Sequence, residues 1–154
     1  MSQESSRSQA RGGTTFHHVG FVVPSIQAAV ERIAHATGST WDGNIVHDPT
    51  QRVRVTFLRD HLAMTPSIEL VEPASEDSPV GRFLEKGGGL HHVCYEVDSL
   101  EDQLAHCRTA GILPISRPAP APAFDGRRIV WVFTPEGLLV EYLERGAPHG
   151  RGDP

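Results

Sequence analysis

The sequence predicts an α+β fold in which one strand–helix–strands unit occurs twice, and three observations carry that prediction. The run His17-His18-Val19-Gly20-Phe21-Val22-Val23 returns 74 residues later as His91-His92-Val93-Cys94-Tyr95-Glu96-Val97. Each run leads into a stretch with helical spacing of apolar residues. Each half then closes on a strand-like segment with a glutamate among apolar neighbours, Ile68-Glu69-Leu70-Val71 in the first and Val140-Glu141-Tyr142-Leu143 in the second. Repeats of this kind outrank local propensity, because they constrain the whole architecture at once.

The elements follow in order. Apolar, β-branched and aromatic residues after each His-His pair read as a strand. Pro24-Ser25 then precedes Ile26, Ala29, Val30 and Ile33, and Asp98-Ser99 precedes Leu100, Leu104 and Cys107. These spacings line one face of a helix, and Ser or Asp accepts a hydrogen bond from the free N–H groups of its first turn. Gly38 and Gly111 supply a left-handed exit after each helix. Strand-like runs at 52–58 and 128–133 fill the middle of each half. Between the halves, Asp77-Ser78-Pro79-Val80 to Lys86 reads as a short helix with Ser78 as its cap and Pro79 in its first turn, ended by Gly87, Gly88 and Gly89. The expected organisation is a single domain over 14–146: module one at about 14–74, a linker helix at about 77–88 and module two at about 89–146. The Ser/Gly-rich residues 1–13 read as a disordered tail and 147–154 as a frayed end.

Composition narrows the function. A chain of 154 residues is too short for a multidomain enzyme. Fourteen basic against 19 acidic residues give a net charge of −5 with no basic run, which argues against nucleic acid or an anionic membrane as partner. No apolar stretch resembles a signal peptide or a membrane span, and two cysteines, Cys94 and Cys107, are too few to staple a secreted fold. The expected location is the cytoplasm.

Nine histidines are the unusual entry in the composition, since imidazole is a frequent metal ligand. Taken alone, Glu69 or Glu141 is most simply a solvent-facing strand residue, and a lone histidine at a strand start is most simply a hydrogen-bonded edge residue. The joint pattern says more. Two modules related by a pseudo-twofold axis, each with one His and one Glu at equivalent places, would bring two imidazoles and two carboxylates into one cavity. That N/O donor set suits a divalent transition metal with positions left open for substrate. Burying two carboxylates without a cation would cost on the order of several kcal/mol. Strand alternation adds that the two histidines of each pair point to opposite faces.

The chain resembles the vicinal oxygen chelate superfamily, the glyoxalase fold of paired βαβββ modules with a metal site in the curved sheet. Within it, the chain is similar to the methylmalonyl-CoA epimerases. The resemblance spans residues 16–144 and rests on Phe16-His17-His18-Val19-Gly20, Ile68-Glu69-Leu70-Val71-Glu72-Pro73, Asp77-Ser78-Pro79-Val80, Phe83-Leu84-Glu85-Lys86, Gly89-Leu90-His91-His92-Val93 and Leu139-Val140-Glu141. It implies a ligand set of His18, Glu69, His92 and Glu141 for one divalent metal ion (Co, Mn, Zn or Ni), with Glu141 also moving the substrate proton. It implies a small-molecule substrate, an acyl-CoA or another carbonyl compound, and abstraction of the proton next to its carbonyl. Because such modules expose sheet edges, a homodimer is expected.

The resemblance also implies a second acid/base, a glutamate after a proline. Here Asp48-Pro49-Thr50-Gln51-Arg52-Val53 has Thr50 in that place, and a threonine hydroxyl is too weak an acid or base for the role. Asp48, or else His47, is the candidate replacement. The segment from Arg117 to Arg128 reads as a semi-rigid Pro/Ala lip over the cavity, with Arg127 and Arg128 as candidates to clamp a substrate carboxylate or phosphate. Trp131 reads as core, with lining of the pocket as the alternative. Three other activities share the framework: a glyoxalase I-like lyase with the same four ligands, an iron dioxygenase using two His and one Glu, and a metal-free binding or resistance protein.

Overall fold

The computed structural model describes residues 13–62 and 66–146. Both terminal tails named above lie outside that range except for Gly13. Module one comprises β1 (Thr15–Val22), α1 (Ile26–Thr37), β2 (Thr40–Trp41), β3 (Val46–Asp48), β4 (Val53–Arg59) and β5 (Pro66–Pro73). A short helix α2 (Gly81–Glu85) leads to module two: β6 (Gly89–Val97), α3 (Leu100–Thr109), β7 (Leu113–Pro114), β8 (Ala119–Pro120), a 3-10 turn at Pro122–Phe124, β9 (Arg128–Phe133) and β10 (Leu139–Glu144).

All strands join one sheet in the order β2-β4-β5-β1-β6-β10-β9-β7, with β3 added on β4 and β8 on β9. The order is a palindrome. In each half the first strand pairs parallel with the last, and the last pairs antiparallel with the one before it. The halves meet where β1 runs antiparallel to β6, which makes that seam the pseudo-twofold axis.

Alternation along the strands sorts side chains between two environments. On one face, α1 covers Leu58 and Leu70 with Ile26 and Val30, and α3 covers Val130, Val132, Val140 and Tyr142 with Leu100, Leu104 and Cys107. On the other face Val53, Val55 and Val71, and in the second half Ile129 and Leu139, line the hollow in which Glu69 and Glu141 lie. Each fully buried aliphatic side chain of the helix-covered layer contributes roughly 1.5–3 kcal/mol.

The helices begin and end as their sequences dictate. Ser25 Oγ accepts from the Ala28 N–H and Ser99 Oγ from the Asp102 N–H, while Gly38 exits α1 in the left-handed region. A second device also repeats. Glu72 at the end of β5 accepts from the Ile26 N–H at 2.7 Å and is paired with Arg54 of β4. Glu144 at the end of β10 accepts from the Leu100 N–H at 3.4 Å and is paired with Arg128 of β9. A carboxylate at a helix N-terminus is favoured there by the unpaired N–H groups and the helix dipole.

The linker differs from its sequence expectation. Residues 77–80 form turns, α2 starts only at Gly81, and no side chain caps it. The Ser78 hydroxyl is buried instead of capping, and it is the Ser78 carbonyl that accepts the Gly81 N–H. At the end of the domain, Arg145 is tied to the sheet through its N–H to the Val97 carbonyl and through its guanidinium to Asp98 and Thr15.

Candidate metal centre

His18 on β1, Glu69 on β5, His92 on β6 and Glu141 on β10 occupy the four central strands, and all four are buried. Their ligand atoms gather within 4.8 Å of one another. His18 Nε2 lies 3.2 Å from His92 Nε2, 3.3 Å from Glu69 Oε2 and 3.5 Å from Glu141 Oε2. His92 Nε2 lies 3.3 Å from Glu69 Oε2 and 3.6 Å from Glu141 Oε2. Donors held about 2.0–2.2 Å from a common divalent ion are necessarily about 3–3.6 Å from their neighbours, so the spacing matches one shared ion. Glu141 Oε2 is buried with no hydrogen-bond partner among the described residues, a costly state for a carboxylate that a cation would relieve.

The electrostatics agree. Burial raises the Glu69 carboxyl's affinity for a proton, but the His18 and His92 imidazoles outweigh it and hold Glu69 down at about 2. Burial likewise disfavours charge on His92, yet the Glu141 and Glu69 carboxylates outweigh it and raise His92 to about 9. Without a metal, the site therefore takes up a proton to neutralise its carboxylates. A divalent cation does the same with more charge.

The sequence expectation that adjacent histidines diverge is overturned. The β1–β6 register slips once at His17 and once at His91, each the extra residue of a β-bulge. A bulge leaves two residues facing one on the partner strand and redirects side chains. His17 Nδ1 consequently lies 2.8 Å from His18 Nδ1, and His91 Nδ1 lies 3.0 Å from His92 Nδ1. Burial, followed by the neighbouring imidazole, lowers both His17 and His91 to about 4, which keeps them neutral near pH 7. The two outer rings then diverge in setting. His17 Nε2 is 4.0 Å from Glu96 Oε1, which takes a 2.8 Å bond from Arg127. His91 packs edge-on against Phe83 and lines the cavity.

That cavity, of about 450 Å³, opens onto Glu69, His92 and Glu141 and is mostly apolar, with Val53, Val71, Phe124 and Trp131 among its walls. Asp48 lines it too and is only 3 % exposed, whereas His47 faces solvent, as alternation along β3 requires. Gln51 holds both Asp48 oxygens, donating its backbone N–H to Oδ1 at 2.9 Å and its amide to Oδ2 at 3.1 Å. The side-chain amide oxygen Oε1 of Gln51 accepts from Trp131 Nε1 at 3.1 Å, and the Trp131 ring meets His92 edge-on at 4.7 Å. Trp131, expected in the core, is thus a wall of the site and ties the Asp48 loop to module two.

Arg127 and Arg128 differ from the sequence expectation, because neither lines the cavity. Arg127 is held by Glu96 and lies over the Phe124 ring; Arg128 grips Glu101 and Glu144 on the helix-covered side and is the counterpart of Arg54. Both cations are already satisfied within the fold. The Pro/Ala segment does form a lip over the cavity, and the arginine it contributes there is Arg117. Sequence reasoning missed Gln51, Arg117 and the outer histidines; the doubling of His17 and His91 was the available signal for the last two. Cys94 and Cys107 are buried free thiols, and burial together with Glu141 and Glu69 pushes the Cys94 pKa up. Among the described residues no helix is long and apolar enough to cross a membrane. All four ligands come from one chain, so a partner subunit is not needed to complete the set.

Comparison with known proteins agrees with this geometry. The chain is 30% identical over 129 residues to an ethylmalonyl-CoA/methylmalonyl-CoA epimerase of Cereibacter sphaeroides, covering 81% of this chain and 93% of the relative. It is 32% identical over 129 residues to the mitochondrial methylmalonyl-CoA epimerase of Bos taurus, covering 81% of this chain and 71% of the relative. A solved structure of a methylmalonyl-CoA epimerase variant from Streptomyces coelicolor, in complex with 2-nitronate-propionyl-CoA, superposes with a TM-score of 0.72 at 27% identity, over 87% of this chain and 99% of that one. The signature of the Glyoxalase/Bleomycin resistance protein/Dioxygenase superfamily matches residues 17–131. With two βαβββ modules joined at the β1–β6 seam and a His/Glu centre between them, this chain belongs to the Glyoxalase/Bleomycin resistance protein/Dioxygenase, or vicinal oxygen chelate, superfamily.

Proposed function

We propose that the protein is a metal-dependent epimerase that removes and returns the proton next to the carbonyl of an acyl-CoA, with methylmalonyl-CoA as the first substrate to test. The observation that carries this reading is Glu141: a buried carboxylate within 3.6 Å of both ligand histidines, with one oxygen unpartnered, on the floor of an apolar cavity. Relatives that match most of the chain include proteins named as epimerases, and one of these was solved with 2-nitronate-propionyl-CoA.

His18, Glu69, His92 and Glu141 would hold the ion, with Co, Mn, Zn and Ni all compatible with two N and two O donors. When bound, a divalent cation supplies Lewis-acid stabilisation of the enolate oxygens left by proton removal. Glu141 takes the proton at its carboxylate. Asp48, reaching the same cavity from module one while Glu141 reaches it from module two, supplies the second acid. Gln51 donates a hydrogen bond to each Asp48 oxygen and so fixes the orientation of that carboxyl group in the cavity. The valines, Phe124 and Trp131 exclude water and strengthen these interactions.

The test begins with elemental analysis of purified wild type, His92→Ala and Glu141→Ala after dialysis against each of the four metals. Wild type should hold one ion per chain and the variants little. Loss of the α-proton signal of methylmalonyl-CoA in deuterated water then reads the reaction. A wild-type protein that binds none of the four metals would overturn the reading.

A further inference from the structure

The two bulges that turn His17 and His91 inward place them on the second nitrogens of both ligand imidazoles, at 2.8 and 3.0 Å. Only one proton can lie on each of those Nδ1–Nδ1 axes. A histidine that gives its Nε2 lone pair to a metal carries its proton on Nδ1 and donates it to whatever faces that atom. His18 and His92 must then be the donors and His17 and His91 the acceptors. An imidazole that accepts at Nδ1 while neutral carries its own proton on Nε2. The direction of the whole chain follows from the first assignment.

The two ends of the chain differ. From His17, the Nε2–H faces Glu96, whose carboxylate is anchored by Arg127. This end is closed within the protein. From His91, the flanking groups are the Phe83 and Trp131 rings, neither of which is a strong acceptor, and no protein hydrogen bond to His91 Nε2 occurs among the described residues. His91 lines the substrate cavity.

We propose that His17 and His91 are positioning residues that fix the tautomers of both metal-binding histidines, and that His91 in addition presents its Nε2–H to the cavity as a hydrogen-bond donor for a substrate oxygen. The inference rests on the metal reading and, for its second part, on the cavity being the substrate site. It gives the two metal-bound imidazoles different sensitivities. His18 is backed by a partner whose far end never changes, whereas His92 is backed by one that strengthens as an acceptor when an anionic oxygen takes its Nε2–H. Hydrogen bonds in such a chain polarise one another, so substrate contact at His91 makes His92 a stronger donor to the ion.

Long-range proton–nitrogen correlation spectra of the histidine-labelled, zinc-loaded full chain test this directly. His18 and His92 are expected to be protonated at Nδ1, and His17 and His91 at Nε2; either outer histidine found protonated at Nδ1 overturns the proposal. Two variants separate the two jobs of His91. His91→Phe removes both and should weaken zinc binding about 10- to 100-fold, the usual effect of losing a group behind a metal ligand. His91→Asn sets an amide oxygen near the place of Nδ1 but has nothing at Nε2. It should therefore keep zinc affinity within about threefold of wild type and raise KM for methylmalonyl-CoA about tenfold with little change in kcat, as loss of one substrate hydrogen bond does. Unchanged zinc affinity in His91→Phe overturns the positioning role, and an unchanged KM in His91→Asn overturns the donor role. A wild type that takes up no zinc overturns the metal site itself. A wild type that takes up zinc and leaves methylmalonyl-CoA untouched overturns only the substrate reading, because the tautomers and the His91→Phe affinity are read without substrate.

Discussion

Gly20 is directly opposite His92 across the β1–β6 seam, and the imidazole of His92 fills the space that a side chain on Gly20 would need. A methyl group there would overlap the ring atoms Cε1, Nδ1 and Nε2 together. The glycine has no left-handed backbone to explain it; it is required by the ligand that lies over it. Cys94, its counterpart in the repeat, sits opposite His18. Gly20→Ala should therefore push His92 off the other three donors and weaken zinc or cobalt binding at least about tenfold, while overpacking costs about 1–3 kcal/mol of stability. Metal titration by calorimetry beside a thermal melt checks both, and an alanine variant with wild-type metal affinity would contradict the account.

Asp48 and Glu141 reach the cavity from different modules, and the proposed reaction needs both. Asp48→Asn removes one acid/base and leaves the metal ligands alone. Epimerisation should fall about 10²- to 10⁴-fold, the usual contribution of a positioned acid or base. Exchange of the α-proton with deuterated solvent should survive for the epimer whose proton Glu141 removes. Chiral analysis of product alongside proton NMR separates the two, and a variant that epimerises at the wild-type rate would eliminate Asp48 from the reaction.

The fold was legible because its unit occurs twice, and the repeat also ties the candidate residues to equivalent positions: a module that puts a His-His pair on its first strand and Glu69 on its last must put His91-His92 and Glu141 in matching places. Alternation also distinguished Asp48 from His47 once β3 was in place. The second layer was not legible. A bulge at His17 or His91 adds one residue to a strand without a glycine or proline to announce it, so strict alternation assigned both to the wrong face. Arg128 looked free because its partners, Glu101 and Glu144, lie on α3 and β10, and the Trp131–Gln51 bond joins residues 80 apart. Pairings set by the sheet's assembly leave no local spacing to read.

The outer histidines also predict how the metal-free protein responds to acid. His17 and His91 are held at about 4, below the ordinary 6.5, chiefly by burial. The unfolded chain therefore binds these protons first, and the stability gained from neutral rings is complete above about pH 6.5 and lost as pH falls to about 4. With allowance for solvent screening, each is worth on the order of 2 kcal/mol. Urea unfolding of the chelator-treated protein should show its midpoint falling between pH 6.5 and 4.5. His92, held at about 9, has the opposite sign: its contribution is present below 6.5 and fades as pH rises through 9. A midpoint that is flat from pH 7 to pH 4.5 would contradict the acid branch.

Arg128 gives the sharpest contrast between the two readings of the Arg pair. As a substrate clamp, its loss would raise KM. In the structure it joins Glu101 and Glu144, and these hydrogen bonds raise its own pKa and lower those of both carboxylates. Glu144 in turn accepts from the first N–H of α3. The module-one equivalent, Arg54–Glu72 on the first N–H of α1, lies equally on the far side from the ligands. Arg128→Ala should consequently leave KM, kcat and metal content unchanged and lower stability only slightly, as expected for an exposed ion-pair network with a lost helix-end contact. Salt should shrink that cost, since exposed pairs are screened. Steady-state kinetics and denaturant melts at low and high ionic strength decide between the roles, and a raised KM with unchanged stability would restore the clamp.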